Sequence, residues 1–274
     1  MGIHAPFAFQ NPTFPVSDPD AQIYIDKVVQ VGGVMTQTIA NAVNTLFVDL
    51  KADGIYTQIK ALYPMVGATP ASHALNAKNV SDANTTITWY ARMKTSAGHS
   101  SAGCLPDGSG DCYGGIARSP TELFNSLSDY SIGAYQSAYT ANSGFLIGLL
   151  NNATFTNPRF QLNLPFDATN VYSGLGGATL VGPINTTPTG FFLASRTADN
   201  LHTLYKNGSS IGTNTPTVTN IQTEDIQLFG LNTNANLHIG TVSFIIFANG
   251  LDSTESSDLD TAVQSFPTSL GRDV

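Results

Sequence analysis

Charge is scarce in this chain. Of its 274 residues only 11% are Asp, Glu, Lys or Arg, and the 11 Lys and Arg lie singly along it. The net charge of −8 comes with no basic stripe to neutralise a run of phosphates, so nucleic-acid binding is not expected. Long apolar runs are lacking as well. None approaches the roughly 18 residues that a membrane-crossing helix needs, so no membrane insertion is expected. The opening MGIHAPFAFQNPTFPVSDPD has neither the basic nor the apolar segment of a secretory signal, and Pro6 stands where a myristoylation motif requires Ser or Thr. Low charge here does not mean disorder, because 42% of residues are hydrophobic and can fill a core. The polar surface must then be built from Asn, Thr, Ser and Gly, a habit of extracellular β-proteins.

Cysteine is nearly absent too. Both copies fall in CLPDGSGDC, at Cys104 and Cys112. A spacer of Pro, Gly, Ser and Asp can close a small disulfide loop, or leave two free thiols. Zinc needs four ligands, and no second Cys or His pair stands at metal spacing; His99 is a lone neighbour, so no metal site is expected. The same loop offers Asp107 and Asp111, with Tyr113 beside them, as exposed contacts. These acids could hold a calcium ion, though without the regular ligand spacing of an EF-hand. No other cofactor is suggested.

Periodicity divides the rest. Residues 1–17 show none and read as an extended arm, either frayed or docking Phe7, Phe9 and Phe14 on a neighbouring subunit. Residues 18–84 read as helical. Asp18 and Pro19 open a first helix that Gly32-Gly33 ends. A second, from about Thr36 to Gly54, aligns Ile39, Val43, Leu46, Phe47 and Leu50 on one face. A third, short one is expected through Ile55, Ile59, Leu62 and Tyr63. From 85 to 274 the chain reads as β-rich runs parted by Gly, Pro, Asn or Asp: TTITWYARM, SIGAYQSAY, GFLIGLL, RFQLNL, GFFLASR, LHTLYKN, IQLFGL and HIGTVSFIIFA. Asn207-Gly208 supplies the two positive φ angles of a type I′ hairpin turn. Many short strands with such turns predict an antiparallel sandwich or barrel. A closing helix begins at Asp252 with Glu255 three residues on, burying Leu259, Val263 and Phe266.

Two sets of motifs carry a resemblance. GFFLASRTADNLHTLYKNGSSIGT, IQLFGL and the run from LHIG to AVQSF resemble the closing third of concanavalin A-like, laminin-G-type jelly rolls, through Tyr205, Asn207, Gly208, Gly250, Leu251 and Glu255. Upstream, the "YP-x-V-G" turn (Tyr63, Pro64, Val66, Gly67) and the "SH-x-x-N-x-K" stretch (Ser72, His73, Asn76, Lys78) resemble a segment of phage structural proteins. The end, TAVQSFPTSLGRDV, is similar to that group's terminus. The resemblance implies a mainly β, concanavalin A-like jelly-roll sandwich behind a helical attachment segment. It also implies a virion protein on the particle exterior: a spike, fibre or capsid-associated component. Its expected partners are other virion proteins, copies of itself in a symmetric homo-oligomer such as a trimer, and a host-surface glycan. It brings no catalytic residues.

Enzymatic chemistry finds little support in the residues. A glycoside hydrolase needs two carboxylates flanking the scissile bond, whereas Glu224 and Asp225 are adjacent and would point to opposite faces of a strand. No nucleophile elbow, P-loop or dinucleotide fingerprint occurs. His73 is expected in a structural hydrogen bond, His202 and His238 in core or cross-strand contacts, and Trp89 in the core. The chain is expected not to be an enzyme. The competing readings are a free carbohydrate-binding lectin module and, behind it, a polysaccharide-degrading enzyme.

Overall fold

The computed structural model describes residues 12–273 except 108–111, 127, 140–143, 150–159, 166–169, 177–178, 184–187, 216, 218–222 and 231–236. Phe7, Phe9 and Asp111 therefore lie outside the described residues. Helix α1 (Pro19–Gln30) starts where the Asp18 carboxylate accepts the Asp20 and Ala21 amides, each at 3.0 Å, and it ends before Gly32 at φ 81°. Helix α2 (Gln37–Ala52) is capped by the Thr36 hydroxyl and stopped at Gly54, φ 75°. Its buried face includes Val43, Leu46, Phe47 and Leu50.

The expected third helix does not form. A single 3-10 turn (Ile55–Thr57) leads into strand β1 (Ile59–Tyr63), which pairs antiparallel with the last strand of the chain. So short a segment cannot hold a helix by itself. As a strand it satisfies its backbone on a waiting edge, and it sends Ala61 and Tyr63 to one core and Leu62 to the other.

Next come α3 (Pro70–His73), β2 (Thr88–Trp89), β3 (His99–Ser100), β4 (Gly103–Cys104), β5 (Gly114–Gly115) and α4 (Pro120–Leu123). The strand expected over residues 85–93 shrinks to β2, because the chain turns at Tyr90 into a 3-10 helix, Ala91–Lys94. The longer strands follow: β6 (Tyr130–Tyr139), β7 (Phe145–Leu149), β8 (Phe160–Asn163), β9 (Asn170–Leu175) and β10 (Thr179–Pro183). Then come β11 (Gly190–Ala198), β12 (Leu201–Lys206), β13 (Ser209–Asn214), β14 (Ile226–Leu228), β15 (Gly240–Ala248) and α5 (Ser253–Ser269).

These strands make two antiparallel sheets, the jelly-roll sandwich architecture expected. The inner sheet runs β13-β12-β11-β6-β15-β4-β3, with β1 also paired to β15; the outer sheet runs β10-β9-β8-β7-β14-β5-β2. Between them lies one core, with Ile132, Ala134, Phe192, Ala194, Ile245 and Phe247 from the inner sheet facing Leu162, Val171, Ile226 and Leu228. The inner sheet's other face meets the helices. Phe191, Leu193, Phe244 and Ile246 pack there against Tyr24 and Val28 of α1, Leu46 and Phe47 of α2, and Leu259 and Phe266 of α5. The molecule thus has three layers: helices, inner sheet, outer sheet.

Phe14 packs on this helical core and is half-buried. At the other end of the chain, Asp252 and Glu255 form the expected capping box. The Leu251 amide and carbonyl are held by the Ser195 hydroxyl at 2.9 and 2.6 Å, and Ser131 donates to Ser195 at 2.9 Å. The Gly250-Leu251 turn is thereby pinned to the inner sheet, which aims α5 back across it. Asn207 and Gly208 take φ 47° and 71° between β12 and β13, as the hairpin reading requires.

Candidate functional site

Two places concentrate polar chemistry. One is a groove of about 100 Å³ at the β2 edge of the outer sheet, lined by Thr88, Tyr90, Gly115, Asp225 and Gln227 among others. Strand alternation turns Trp89 inward, 5% exposed, with its indole N–H on the Pro70 carbonyl at 2.8 Å. Its neighbour Tyr90 is turned outward and is 38% exposed. Tyr90 stacks on Tyr113, ring centroids 4.5 Å apart and planes 14° from parallel, and its amide donates to the Tyr113 carbonyl. The pair makes a rigid aromatic wall.

Gln227 adds an amide to the groove's lining. Phe160 and Leu162 face the core, so Gln161 and Asn163 point from the opposite face of β8, as Gln227 does on β14 between Ile226 and Leu228. Their side-chain carbonyl oxygens are buried and accept no hydrogen bond. Beside them the register places glycines: Gly148 and Gly115 opposite Gln227, and Gly174 opposite Gln161.

Of the loop residues expected to offer contacts, Asp107 is exposed. Asp107 is ion-paired with Arg92 and accepts from the Cys112 thiol at 3.0 Å. A guanidinium thus stands where a calcium ion would have to compete for that carboxylate. Tyr113 stands beside the groove through its stack on Tyr90. The disulfide reading is corrected too: Cys104 and Cys112 are both buried free thiols, and each faces different partners.

Cys104 belongs to the second place, a cluster that residue spacing did not suggest. His73 from the end of α3, His99 from β3 and Cys104 from β4 bring three metal-ligating atoms together in the buried interior. The two Nδ1 atoms are 2.9 Å apart, and the Cys104 Sγ is 3.5 Å from that of His73 and 3.6 Å from that of His99. Met65, held at φ 46° in the turn after β1, puts its Sδ 3.5 Å from the Cys104 Sγ. The His99 Nε2 lies 2.8 Å from the Met93 carbonyl, which can only accept, so the proton is assigned to Nε2 and the Nδ1 lone pair points into the cluster. His73 then donates from Nδ1 to His99, and its own Nε2 is buried without a partner. Burial holds both imidazoles below their ordinary range, with His99 and Arg272 adding to the effect at His73, and it pushes the Cys104 thiol up. All three groups are neutral.

Spacing rules missed this cluster because His73 stands 26 positions before His99, across the strand edge and turns that fold between them. The "SH-x-x-N-x-K" stretch held the one available signal. Its Asn76 accepts from the Leu62 and Lys78 amides and donates to Thr85, and Lys78 lies over the Tyr56 ring at 3.4 Å. Those bonds fix the segment that presents His73. Tyr90 and Gln227 were also missed, although an inward Trp89 already implies an outward Tyr90.

No protein-family model and no curated protein sequence matches the chain. Among solved structures it is similar to the receptor-binding domain of botulinum neurotoxin type G, at 12% identity and TM-score 0.43, over 57% of this chain and 41% of that one. The botulinum neurotoxin serotype D binding domain matches at 12% identity and TM-score 0.42, over 57% of this chain and 42% of that one. A Ruminococcus gnavus sialidase CBM40, solved with α2,6-sialyllactose, matches at 15% identity and TM-score 0.40, over 49% of this chain and 84% of that one. The chain spans about two-fifths of the neurotoxin chains. At these identities and scores the likenesses carry no functional argument.

Proposed function

We propose that this chain is a bacteriophage virion structural protein, displayed on the particle exterior, that attaches to a host-surface glycan through the edge groove of its outer sheet. One observation carries the binding half of the reading: a stacked tyrosine wall beside a buried amide whose oxygen accepts no hydrogen bond. A sugar needs an apolar face to lie on and acceptors for its hydroxyls, and such a groove offers both. The virion half rests on the sequence motifs at Tyr63–Gly67 and Ser72–Lys78. Low surface charge is compatible with it, because contacts to neutral sugars do not depend on ionic steering. Symmetric assembly would multiply a weak site into useful avidity.

Binding is tested by screening the purified protein against arrayed host-surface polysaccharides, then repeating with Tyr90→Ala. Removing one wall of the groove should weaken the best ligand about tenfold while leaving the fold intact. Equal binding by the variant sinks the groove assignment. Mass spectrometry of purified particles tests the other half: stoichiometric recovery of the chain supports it, and absence from intact particles overturns it. Sugar binding by a chain absent from particles would favour the free lectin module, and release of reducing ends would favour the enzyme.

A further inference from the structure

We infer that Cys104, His73, His99 and Met65 form a buried binding site for a monovalent copper ion. Three features of the cluster point there. The first is the donor set: two imidazole nitrogens and a thiol within 4.8 Å of one another, with a thioether 3.5 Å from the thiol. Thiolate and thioether sulfur are soft donors that select Cu(I), and zinc makes little use of a thioether.

The second is geometry. With metal–nitrogen bonds of about 2.0 Å and metal–sulfur bonds of about 2.3 Å, a tetrahedral site holds its nitrogens about 3.3 Å apart and nitrogen from sulfur about 3.5 Å. The observed nitrogen–sulfur distances, 3.5 and 3.6 Å, already fit, and the nitrogens at 2.9 Å need to part only slightly. The His99 Nε2–H on the Met93 carbonyl is the outer hydrogen bond by which metal-bound histidines are oriented.

The third is charge. Met65 and Cys104 are 0% exposed, His73 1% and His99 5%. The Arg272 guanidinium, itself buried, donates to the Met65 carbonyl at 3.2 Å. Cu(I) with one thiolate is neutral, whereas Zn(II) with one thiolate would leave a positive charge buried beside Arg272. Burying an uncompensated charge is heavily disfavoured. On binding, the Cys104 thiol releases its proton to solvent, and the His73 proton passes from Nδ1 to Nε2, freeing both nitrogens as ligands.

The test is anaerobic titration of the full chain with Cu(I) against a chromophoric Cu(I) chelator, with circular dichroism to confirm folding. One equivalent should bind and raise the melting temperature. Cys112→Ser keeps a donor for Asp107 and should bind as the parent does. Cys104→Ser should lose about 100-fold or more in affinity, and Met65→Leu, which preserves core volume, about tenfold. No Cu(I) binding by the folded parent, or undiminished binding by Cys104→Ser, overturns the site. Should Cys104→Ser fail to fold, undiminished binding by Met65→Leu overturns it instead. Tighter binding of Zn(II) than of Cu(I) overturns the choice of metal. Neither result bears on glycan binding, because Trp89 separates the cluster from the groove wall, its ring 5.0 Å from that of His99.

Discussion

The two sheets of this sandwich meet different surroundings. The inner sheet is covered twice, by the outer sheet and by α1, α2 and α5, and every residue of its central strand β15 is buried. The outer sheet carries Gln161, Asn163 and Gln227 on the face turned from that core, beside Phe145 and Tyr172, and these side chains are buried as well. Strands with apolar layers on both faces read as unbroken apolar runs, and GTVSFIIFA is one; FQLN alternates apolar and amide side chains, all four of them buried. One sheet is packed by apolar side chains on both faces, and the other buries amide oxygens that accept no hydrogen bond on its far face.

Acid should break the contrast most strongly. His202 and His238 are buried among the sheets, and burial holds each down to about 3. In the unfolded chain they titrate near their ordinary value of about 6.5, so between these values the unfolded state binds protons that the folded state does not. Stability is therefore full above about pH 6.5 and falls as the pH drops toward 3, on the order of 1 kcal/mol per pH unit per histidine. His73 and His99, also lowered, act in the same direction. Helices α1, α2 and α5 contain no histidine, so the sheets should be the acid-sensitive part. Urea melts at stepped pH measure this, and equal stability at pH 7 and pH 4.5 would refute it.

Phe244→Ala removes a ring between β15 and the helices, where it touches Phe191 and Phe266. It should cost about 4 kcal/mol in equilibrium unfolding. A loss below about 1 kcal/mol would mean that the helices contribute little to the inner sheet. Asn76→Ala leaves the Leu62 amide of β1 buried and unpaired, and about 2 kcal/mol should be lost. The same melts would show no change if water replaced the bond. Asp252→Ala strips the N-cap of α5 and should cost about 1 kcal/mol, seen as a lower thermal midpoint. Tyr90→Ala, at the groove, should shift stability least of the four substitutions while shifting glycan affinity most; a large loss of stability instead would make the stacked pair structural.

Much of the inner sheet and its helices was legible in the sequence because local chemistry decides it. Asp18-Pro19, Thr36 and Asp252-x-x-Glu255 supply caps whatever lies beyond them, and Asn207-Gly208 supplies a turn that twisted strands require. Residues 55–63 were misread because Ile59, Leu62 and Tyr63 satisfy a helical period and a bulged strand equally, and only the free edge of β15 selects between them. The interior histidine cluster was illegible for a related reason. Its members come from a helix end, the last two strands at one sheet edge and a turn, and no spacing along the chain encodes their meeting.

By itself, then, the chain's order of residues determined its helix ends, its turns, its β-rich body and its poverty of charge, all consequences of contacts within a few positions. Tertiary structure alone decided that Cys104 faces two imidazoles instead of Cys112, that Phe14 is spent on its own core, and that Tyr90 and Gln227 share one groove. Such outcomes depend on which surfaces close over one another, and burial, unlike capping, is a property of the whole fold.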